Sequence, residues 1–463
     1  MRSDKLPGWT GRIHFIGIGG IGMSGIAEVL LNLGFEVSGS DMEESRITAR
    51  LAVLGARISR GHDAANIGDA ETVVVSSAIK PDNPEVLEAK RRGIPLIPRS
   101  DMLGELMRVR RSIAVAGAHG KTTTTSLAAL VMQKAGLDPT IVVGGKVKSL
   151  DANAMLGAGE YLVAEVDESD GNFVRLSPAI ALITNIDAEH LDFYGGLEKI
   201  QDAFLTFANR VPFNGLVICC SDDGNIRSIM PSIDRRVITY GFGSEAEFRG
   251  RVIEEGPEGT RFSVETETGP AAEYFLRVPG RHNALNAVGV CALAGEIGIE
   301  SAHIAAAFEE YEGLARRFER RGEAGGVLVV DDYGHHPTEI EAVVETARRN
   351  FDRRLVVVFQ PHRYSRTRDI HSSFDRCFRA ADEVYVTSVY GAGETPIPGV
   401  TGELIYRAAR KGGVRKITYI PDRGDLLKAL LASTGPGDLV LTLGAGDIWK
   451  IGDELLAGKG IER

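Results

Sequence analysis

The architecture of this chain follows from Ile113-Ala-Val-Ala-Gly-Ala-His-Gly-Lys-Thr122, which continues into Thr123, Thr124, Thr125 and Ser126. An apolar, β-prone run from Ile113 to Ala116 stops at Gly117 and Gly120, and helix-forming Leu127-Ala-Ala-Leu-Val-Met follows. Strand, glycine turn and helix N-terminus in that order aim backbone N–H groups and the positive end of a helix dipole at one point, which favours a phosphate. Lys121 adds a point charge, and Thr122 offers a hydroxyl to a phosphate-bound Mg²⁺. The standard phosphate loop has a glycine five residues before its Gly-Lys pair. Here that position is Val115, so the loop is a shortened variant. Gly-Lys-Thr turns also arise by chance, but the flanking strand and helix favour a nucleoside triphosphate.

At 463 residues the chain is too long for one core and suggests about three domains of ~150 residues. Hydrophobic residues at 43% and charged residues at 25% are the proportions of an ordinary globular protein. A net charge of −10 argues against nucleic acid as the main partner, because no broad basic surface is available. Cys219, Cys220, Cys291 and Cys377 show neither zinc nor disulfide spacing, which fits a reducing compartment. The first residues lack the apolar core of a signal peptide, and no apolar run is long enough for a bilayer. The expectation is a cytoplasmic protein without membrane insertion.

Upstream, Arg12-Ile-His-Phe-Ile reads as a strand, and Gly17, Gly19 and Gly22 then fit G-x-G-x-x-G ahead of helical Ile26-Ala-Glu-Val-Leu-Leu. Asp41 closes a second strand about twenty residues on, where a ribose-binding carboxylate belongs. That pattern suits NAD, although many doubly wound sheets carry glycine turns without it. Further βα units end with a helix near Ser100–Arg108. In the middle, Tyr161-Leu-Val-Ala-Glu-Val runs into Asp167-Glu-Ser-Asp170, and Ile180-Ala-Leu-Ile-Thr runs into Asn185-Ile-Asp-Ala-Glu-His190. Residues 237–278 alternate in β fashion and are expected to form a small antiparallel excursion. Strands from Val327, Leu355, Glu383 and Asp438 alternate with helices in the last third. The expected fold is therefore α/β: three doubly wound, Rossmann-like domains at 1–108, 109–318 and 319–463, the central one a P-loop-type ATPase domain.

Glu165 stands inside an apolar strand, where a carboxylate is costly unless paired or metal-bound; the alternative is an exposed edge-strand Glu. His190 lies in a polar loop and is either a metal ligand or a surface imidazole. With Lys121 and Thr122, these residues would supply hard oxygens and one imidazole around a phosphate chain. In the third domain, Arg363, Arg366 and Arg368 beside a strand end suit a carboxylate or phosphate clamp.

The chain resembles, over essentially its whole length, the Mur ligases of bacterial cell-wall synthesis. The motifs that carry the resemblance in the first domain are Gly17-Ile-Gly-Gly-Ile-Gly-Met-Ser-Gly25 and Ser76-Ser-Ala-Ile-Lys-Pro-Asp-Asn-Pro-Glu85. The middle third adds Ala116-Gly-Ala-His-Gly-Lys-Thr-Thr-Thr124, Ala164-Glu-Val-Asp-Glu-Ser-Asp170 and Pro279-Gly-Arg-His-Asn-Ala-Leu-Asn286. Asp331-Asp-Tyr-Gly-His-His-Pro-Thr338 and Gln360-Pro-His-Arg-Tyr364 complete the set in the family's order.

The resemblance reassigns the first glycine loop: Gly17, Gly19, Gly20 and Gly22 would cradle the diphosphate of a UDP-sugar. Asp41, His62, Ser76 and Ser77 would serve its uridine and sugar. It further implies ATP held by Gly117, Ala118, His119, Gly120, Lys121, Thr122 and Thr123 together with His282, Asn283, Asn286 and Arg317. Mg²⁺ would be bound by Thr122, Glu165 and His190. Tyr333, His335, Arg363 and Arg366 would hold the amino acid. The implied reaction is ATP-driven ligation of L-alanine to the muramyl carboxylate of UDP-N-acetylmuramate through an acyl phosphate, in peptidoglycan precursor synthesis. Lys121, His190, His335, Arg363 and Arg366 are its candidate catalytic residues, and the enzyme is expected to be a monomer or homodimer.

Two departures from the family pattern stand out. Asp202-Ala-Phe-Leu-Thr-Phe-Ala-Asn209 lacks the lysine that several sister ligases carbamylate, a gap shared with the alanine-adding members. In Asp187-Ala-Glu-His190 the longer and shorter acids are exchanged, which leaves the roles of Asp187 and Glu189 open. Rival readings are a ligase joining a preformed peptide to the same nucleotide, a nucleotide-dependent regulator, and an NAD dehydrogenase.

Overall fold

The computed structural model describes residues 11–76, 78–147, 152–267 and 269–460. The first sheet consists of β1 (Arg12–Ile16), β2 (Glu36–Asp41), β3 (Arg57–Arg60), β4 (Thr72–Val75) and β5 (Leu96–Pro98). All pair in parallel, in the order β3-β2-β1-β4-β5. Helices α1 (Ile21–Asn32), α2 (Arg46–Val53), α3 (Pro84–Arg92) and α4 (Arg99–Arg108) complete the βα units. β1 has β2 on one side and β4 on the other, so the strand order reverses at β1. The loop that follows it opens where such sheets bind ligands. α3 is set by local chemistry: the Asn83 side chain accepts from the Glu85 and Val86 amides, Pro84 begins the helix, and Gly93 ends it at φ +67°.

The second sheet is larger. Its first half comprises β6 (Arg111–Ala116), α5 (Lys121–Lys134), β7 (Thr140–Val147), β8 (Ala152–Met155), β9 (Tyr161–Glu165) and β10 (Ile180–Ile183). After α6 (Leu191–Tyr194) and α7 (Leu197–Arg210) come β11 (Leu216–Cys220), α8 (Gly224–Ile229) and β12 (Val237–Gly241). β13 (Phe248–Gly256), β14 (Gly259–Glu265) and β15 (Ala272–Leu276) follow, then α9 (Arg281–Glu296) and α10 (Ser301–Glu310). The order is β15-β14-β13-β12-β11-β10-β6-β9-β7-β8, and β6 pairs in parallel with both β10 and β9. β6 is thus a second point of reversal. Every residue of α5 from Thr123 to Met132 is buried, so this helix is covered on all sides. Among its covers is α10, whose Glu310 forms an ion pair with Lys134 of α5.

The antiparallel excursion is smaller than the alternation of 237–278 implies. β12 pairs in parallel with β11, extending the main sheet, and its contact with β13 is also parallel. Alternation fixes which side chains are buried, here Ile238 and Tyr240, but not the direction of the neighbouring strand. β13 and β14 are sheet neighbours joined by two residues, which is an antiparallel hairpin by geometry.

The third sheet has the order β16-β17-β21-β18-β19-β20. Its strands are β16 (Glu319–Ala324), β17 (Val327–Asp332), β18 (Arg354–Phe359), β19 (Glu383–Val386), β20 (Ile417–Tyr419) and β21 (Asp438–Leu443). The helices are α11 (Pro337–Asn350), α12 (Tyr364–Ile370), α13 (Glu403–Lys411), α14 (Arg423–Ser433) and α15 (Trp449–Gly458). Both faces are apolar: Val330, Leu355, Val357 and Phe359 pack on one side, and Val329, Val356, Val358 and Val440 on the other. Continuous Val/Leu strands are what a parallel sheet covered by helices on both faces requires. β16 is the exception, a polar Glu-Arg-Arg-Gly-Glu-Ala edge strand antiparallel to β17, lying ahead of the expected first strand.

The chain divides into two compact units. One comprises Met1–Arg251, Ser263–Tyr274 and Leu285–Tyr311; the other comprises Val252–Phe262, Phe275–Ala284 and Glu312–Arg463. Among the described residues no helix is long and apolar enough to cross a membrane, and all four cysteines are buried and unpaired.

Candidate functional site

In the first unit, β6 delivers the chain to Gly117 at φ +140°, and Gly120 caps α5 at φ +80°. Both positions need glycine. A Cβ on Gly117 would lie 2.1 Å from Thr184 Oγ1, and one on Gly120 would lie 2.7 Å from Asn286 Oδ1. Asn286 is therefore seated against the phosphate-type loop. The loop is braced from the end of β10. Thr184 Oγ1 and Asn185 Nδ2 donate to the His119 carbonyl at 2.7 and 2.9 Å, and Asn185 Oδ1 accepts from the His119 amide at 2.8 Å. The His119 ring lies 2.9 Å from an Asp187 oxygen, which gives Asp187 a partner on the loop.

Lys121 folds back over its own turn. Its Nζ donates to the carbonyls of Gly117 and Ala118 at 2.5 and 3.1 Å and to Glu168 Oε1 at 3.0 Å. Burial opposes its charge, but the carboxylates of Glu168, Glu165 and Asp167 outweigh that and raise its pKa, so it stays an ammonium. Glu168 is buried, and burial pushes its carboxyl up to about 7 against the pull of Lys121. Its Oε2 lies 2.9 Å from the same ammonium, so the carboxylate is ion-paired through both oxygens.

Glu165 ends β9, which lies between β6 and β7, so it is no edge-strand residue; it accepts from Thr122 Oγ1 at 3.1 Å. His190 takes a left-handed backbone (φ +53°) and brings Nε2 to 3.9 Å from both Glu168 and Glu189. A hydroxyl, two carboxylates and one imidazole gathered at the turn are a donor set that suits a hard dication such as Mg²⁺. The acid that joins Lys121 to His190 is Glu168. Sequence reasoning quoted it only as part of an acidic cluster; its signal was its place three residues after the buried-strand Glu165.

The first glycine loop is tied down differently. The amides of Gly17 and Ile18 donate to the Ser40 carbonyl at 2.9 and 3.0 Å, and the Gly19 amide donates to Asp41 Oδ2 at 2.8 Å. Asp41 is thus turned onto the loop itself. Gly20 caps α1, and Ser76 borders Gly17, its Cβ 3.4 Å from where a Gly17 Cβ would stand. Ser77 lies outside the described residues. His62 Nδ1 lies 3.0 Å from Ser40 Oγ. A Cβ on Gly22 would lie 2.3 Å from Arg99 Nη1, so the third glycine of the fingerprint leaves room for a guanidinium, which itself reaches Asp167 at 2.9 Å. No local pattern around Arg99 marks that role.

In the second unit, His282 and Asn283 lie in the first turn of α9, and Asn283 Nδ2 donates to the Pro279 carbonyl at 2.8 Å. Burial, reinforced by the Arg317 charge, lowers the His282 pKa to about 4, so this ring is neutral at pH 7. Arg317 donates to Glu339 at 3.3 Å and lies over the Tyr333 ring, as does Arg316. Arg316, absent from the sequence-based set, also holds Asp331 and the carbonyls of Gly444 and Gly446. Tyr333 and His335 follow β17, and the His335 ring meets Tyr333 edge-on at 5.7 Å and His362 at 5.5 Å. His362 stacks on Tyr390, and Arg366 donates to His362 at 3.3 Å.

Arg363, with φ +66°, is fixed through its amide to the Tyr390 carbonyl, and its side chain is exposed. Arg368 departs from the expected three-arginine clamp: it is exposed and paired with its neighbour Asp369. Of the three, only Arg366 is turned inward, onto His362; Arg363 and Arg368 are both exposed.

Three α/β sheets, two of them opening at a glycine-rich loop, define a protein of the phosphate-loop α/β class. Family models match consecutively: the Mur ligase family catalytic domain over 12–111, the Mur ligase middle domain over 115–294, and the Mur ligase glutamate ligase domain over 316–446. The chain belongs to the Mur ligase family. It is 51% identical over 445 residues to the UDP-N-acetylmuramate–L-alanine ligase of Geotalea daltonii, covering 96% of this chain and 97% of that one. It is 53% identical over 446 residues, with the same coverage, to the ligase of that name from Anaeromyxobacter dehalogenans. Among solved structures, UDP-N-acetylmuramate-alanine ligase MurC of Thermotoga maritima superimposes with a TM-score of 0.80 at 31% identity, covering 96% of this chain and 98% of that one.

Proposed function

We propose that the chain joins L-alanine to the muramyl carboxylate of UDP-N-acetylmuramate, using ATP and releasing ADP and phosphate. The observation that carries this reading is end-to-end likeness, above 50% identity, to ligases of that name. The geometry supports it: a lysine, a hydroxyl and two acids meet at a glycine turn that opens at a strand-order reversal. The domain limits 1–108, 109–318 and 319–463 are part of the same proposal, as is a cytoplasmic setting.

In this mechanism an oxygen of the muramyl carboxylate attacks the γ-phosphorus of ATP and the bond to ADP breaks, giving an acyl phosphate. Lys121 stands at the turn as a fixed positive charge for the transferring group. Thr122, Glu165 and His190, with Glu168 beside them, would hold Mg²⁺, which when bound supplies charge neutralisation to the phosphates. The α-amine of alanine then attacks the acyl carbon. Phosphate leaves with its electron pair, and the amine proton passes to a base, for which His335 is the candidate. Arg363 and Arg366 are proposed for the alanine carboxylate, and Asn286, His282, Asn283 and Arg317 for the nucleotide. The first glycine loop serves the UDP diphosphate, with Asp41, bonded to the Gly19 amide, beside it on the uridine side.

The test is ADP and phosphate release by the full chain. It should require UDP-N-acetylmuramate, Mg²⁺ and L-alanine together, and a preformed peptide should not replace alanine. Release that ignores alanine, or that prefers the peptide, overturns the reading.

A further inference from the structure

The first domain buries a carboxylate that the proposed mechanism does not use. Glu85, at the start of α3, is 0% exposed. Its Oε1 accepts from Asn66 Nδ2 at 2.7 Å and from the Asp63 amide at 3.2 Å. Its Oε2 accepts from Ser40 Oγ at 2.6 Å and lies 3.4 Å from His14 Nε2. Burial alone would favour the neutral acid, but the hydrogen bonds from His14, Ser40 and Asn66 win and hold the carboxyl down to about 2. The group is therefore an anion throughout the working range.

The proton positions follow from the donor inventory. A carboxylate only accepts, so the Ser40 hydroxyl proton points at Glu85. The Ser40 oxygen then has only lone pairs to offer His62, whose Nδ1 lies 3.0 Å away. That contact is a hydrogen bond only if Nδ1 carries the proton, which leaves Nε2 as the ring atom open to a ligand. Ser40 and its neighbour Asp41 end β2, and the Ser40 carbonyl anchors the glycine loop through Gly17 and Ile18, so the same residue sets both the loop and the ring.

We propose that Glu85 is a positioning residue for the nucleotide sugar: acting through Ser40, it holds His62 as the Nδ1–H tautomer, so that Nε2 accepts from an N–H or O–H group of the ligand. This rests on the reading of His62 as a residue of the UDP-sugar site. The partner is then the uracil imide N–H or a sugar hydroxyl, and both are donors to an imidazole lone pair.

The experiment uses the full chain and the variants Glu85→Gln, Ser40→Ala and His62→Ala. Glu85→Gln keeps the shape but removes the anion that orients the hydroxyl. Ser40→Ala removes the bridging oxygen while leaving Glu85 with Asn66, Asp63 and His14; the direct approach of Glu85 Oε1 to His62 Nδ1, 3.6 Å, is too long for a hydrogen bond, so this variant decides the matter alone if Glu85→Gln does not fold. Both should raise KM for UDP-N-acetylmuramate by about tenfold, the scale of one ligand hydrogen bond. Turnover at saturation and the KM values for ATP and alanine should stay within about twofold. ¹⁵N-histidine spectra should show His62 protonated at Nδ1 in the parent and a mixture of tautomers in both variants. N3-methyl-UDP and 2′-deoxy-UDP as competitors separate the two donors: whichever loses its discrimination in Ser40→Ala identifies the group. If His62→Ala raises the nucleotide-sugar KM while the other two variants leave it unchanged, the relay is overturned and the proposed function stands. If His62→Ala changes nothing either, the placement of His62 and the relay both fall, and alanine-dependent ADP release still tests the reaction separately.

Discussion

Replacing Gly117 by alanine tests whether the phosphate-type loop is shaped by the end of β10. The backbone there, at φ +140°, is in a region that an L-residue enters at a cost of about 1–3 kcal/mol. The new methyl would stand 2.1 Å from Thr184 Oγ1 and about 3 Å from the Asn185 backbone, so Thr184 must move. Moving it breaks the 2.7 Å bond to the His119 carbonyl, worth about 1 kcal/mol. Together the loop should lose roughly 2–4 kcal/mol, the sum of those two terms. The assay is urea unfolding combined with KM for ATP, in a cycle with Thr184→Ala. Thr184→Ala alone should cost about 1 kcal/mol, because it removes the hydroxyl without a clash. In the double variant the methyl has space, so the two effects should fall short of additive by about 1 kcal/mol or more. Additive losses, or a Gly117→Ala protein with parental stability and ATP affinity, would refute the packing argument.

Lys121→Ala should lower turnover by ~10²-fold or more, the scale of losing a transition-state charge stabiliser, while equilibrium binding of the UDP-sugar persists; near-parental turnover would remove Lys121 from the phosphoryl step. Arg363→Ala should raise KM for alanine far more than KM for ATP or the UDP-sugar, and equal effects on all three would place a phosphate there. Glu85 makes stability depend on pH. Its carboxyl is held at about 2 in the folded state against 4.5 otherwise, so its contribution is complete above about pH 4.5 and is lost as pH falls toward 2. At full strength that contribution is about 3 kcal/mol. Urea midpoints between pH 5 and 3 should therefore fall more steeply for the parent than for Glu85→Gln, and identical slopes would show that the buried carboxyl titrates normally.

Much of this was legible in the chain because it is local. Glycine at 117 and 120 between an apolar run and a helix former specifies a turn of definite shape, and the structure shows what each glycine would otherwise strike. The continuous Val/Leu runs of the third domain announced a sheet covered on both faces. What escaped depends on partners far along the chain. Glu168 becomes notable only when folding brings it to Lys121, 47 residues away, and Arg99 only when it reaches Asp167, 68 residues away. β16 escaped because an edge strand with five polar or glycine residues has no apolar rhythm. The alternation of 237–278 suggests an antiparallel excursion, but alternation carries no direction, and β12 lies parallel to both its neighbours.

The burial of α5 bears on how the chain is made. This helix is apolar or small on every face through its middle turns, and one of its covers is α10, whose Glu310 meets Lys134 across 176 residues of sequence. On a ribosome adding about 5–20 residues per second, the gap amounts to roughly 10–35 s between the emergence of the helix and of that cover. Throughout that interval the face of the nascent helix that α10 will cover is without that partner, although β7 and β9, which also pack on it, emerge soon after it. This helix is thus built early and fully enclosed late, and until then part of its apolar surface is exposed on the unfinished chain.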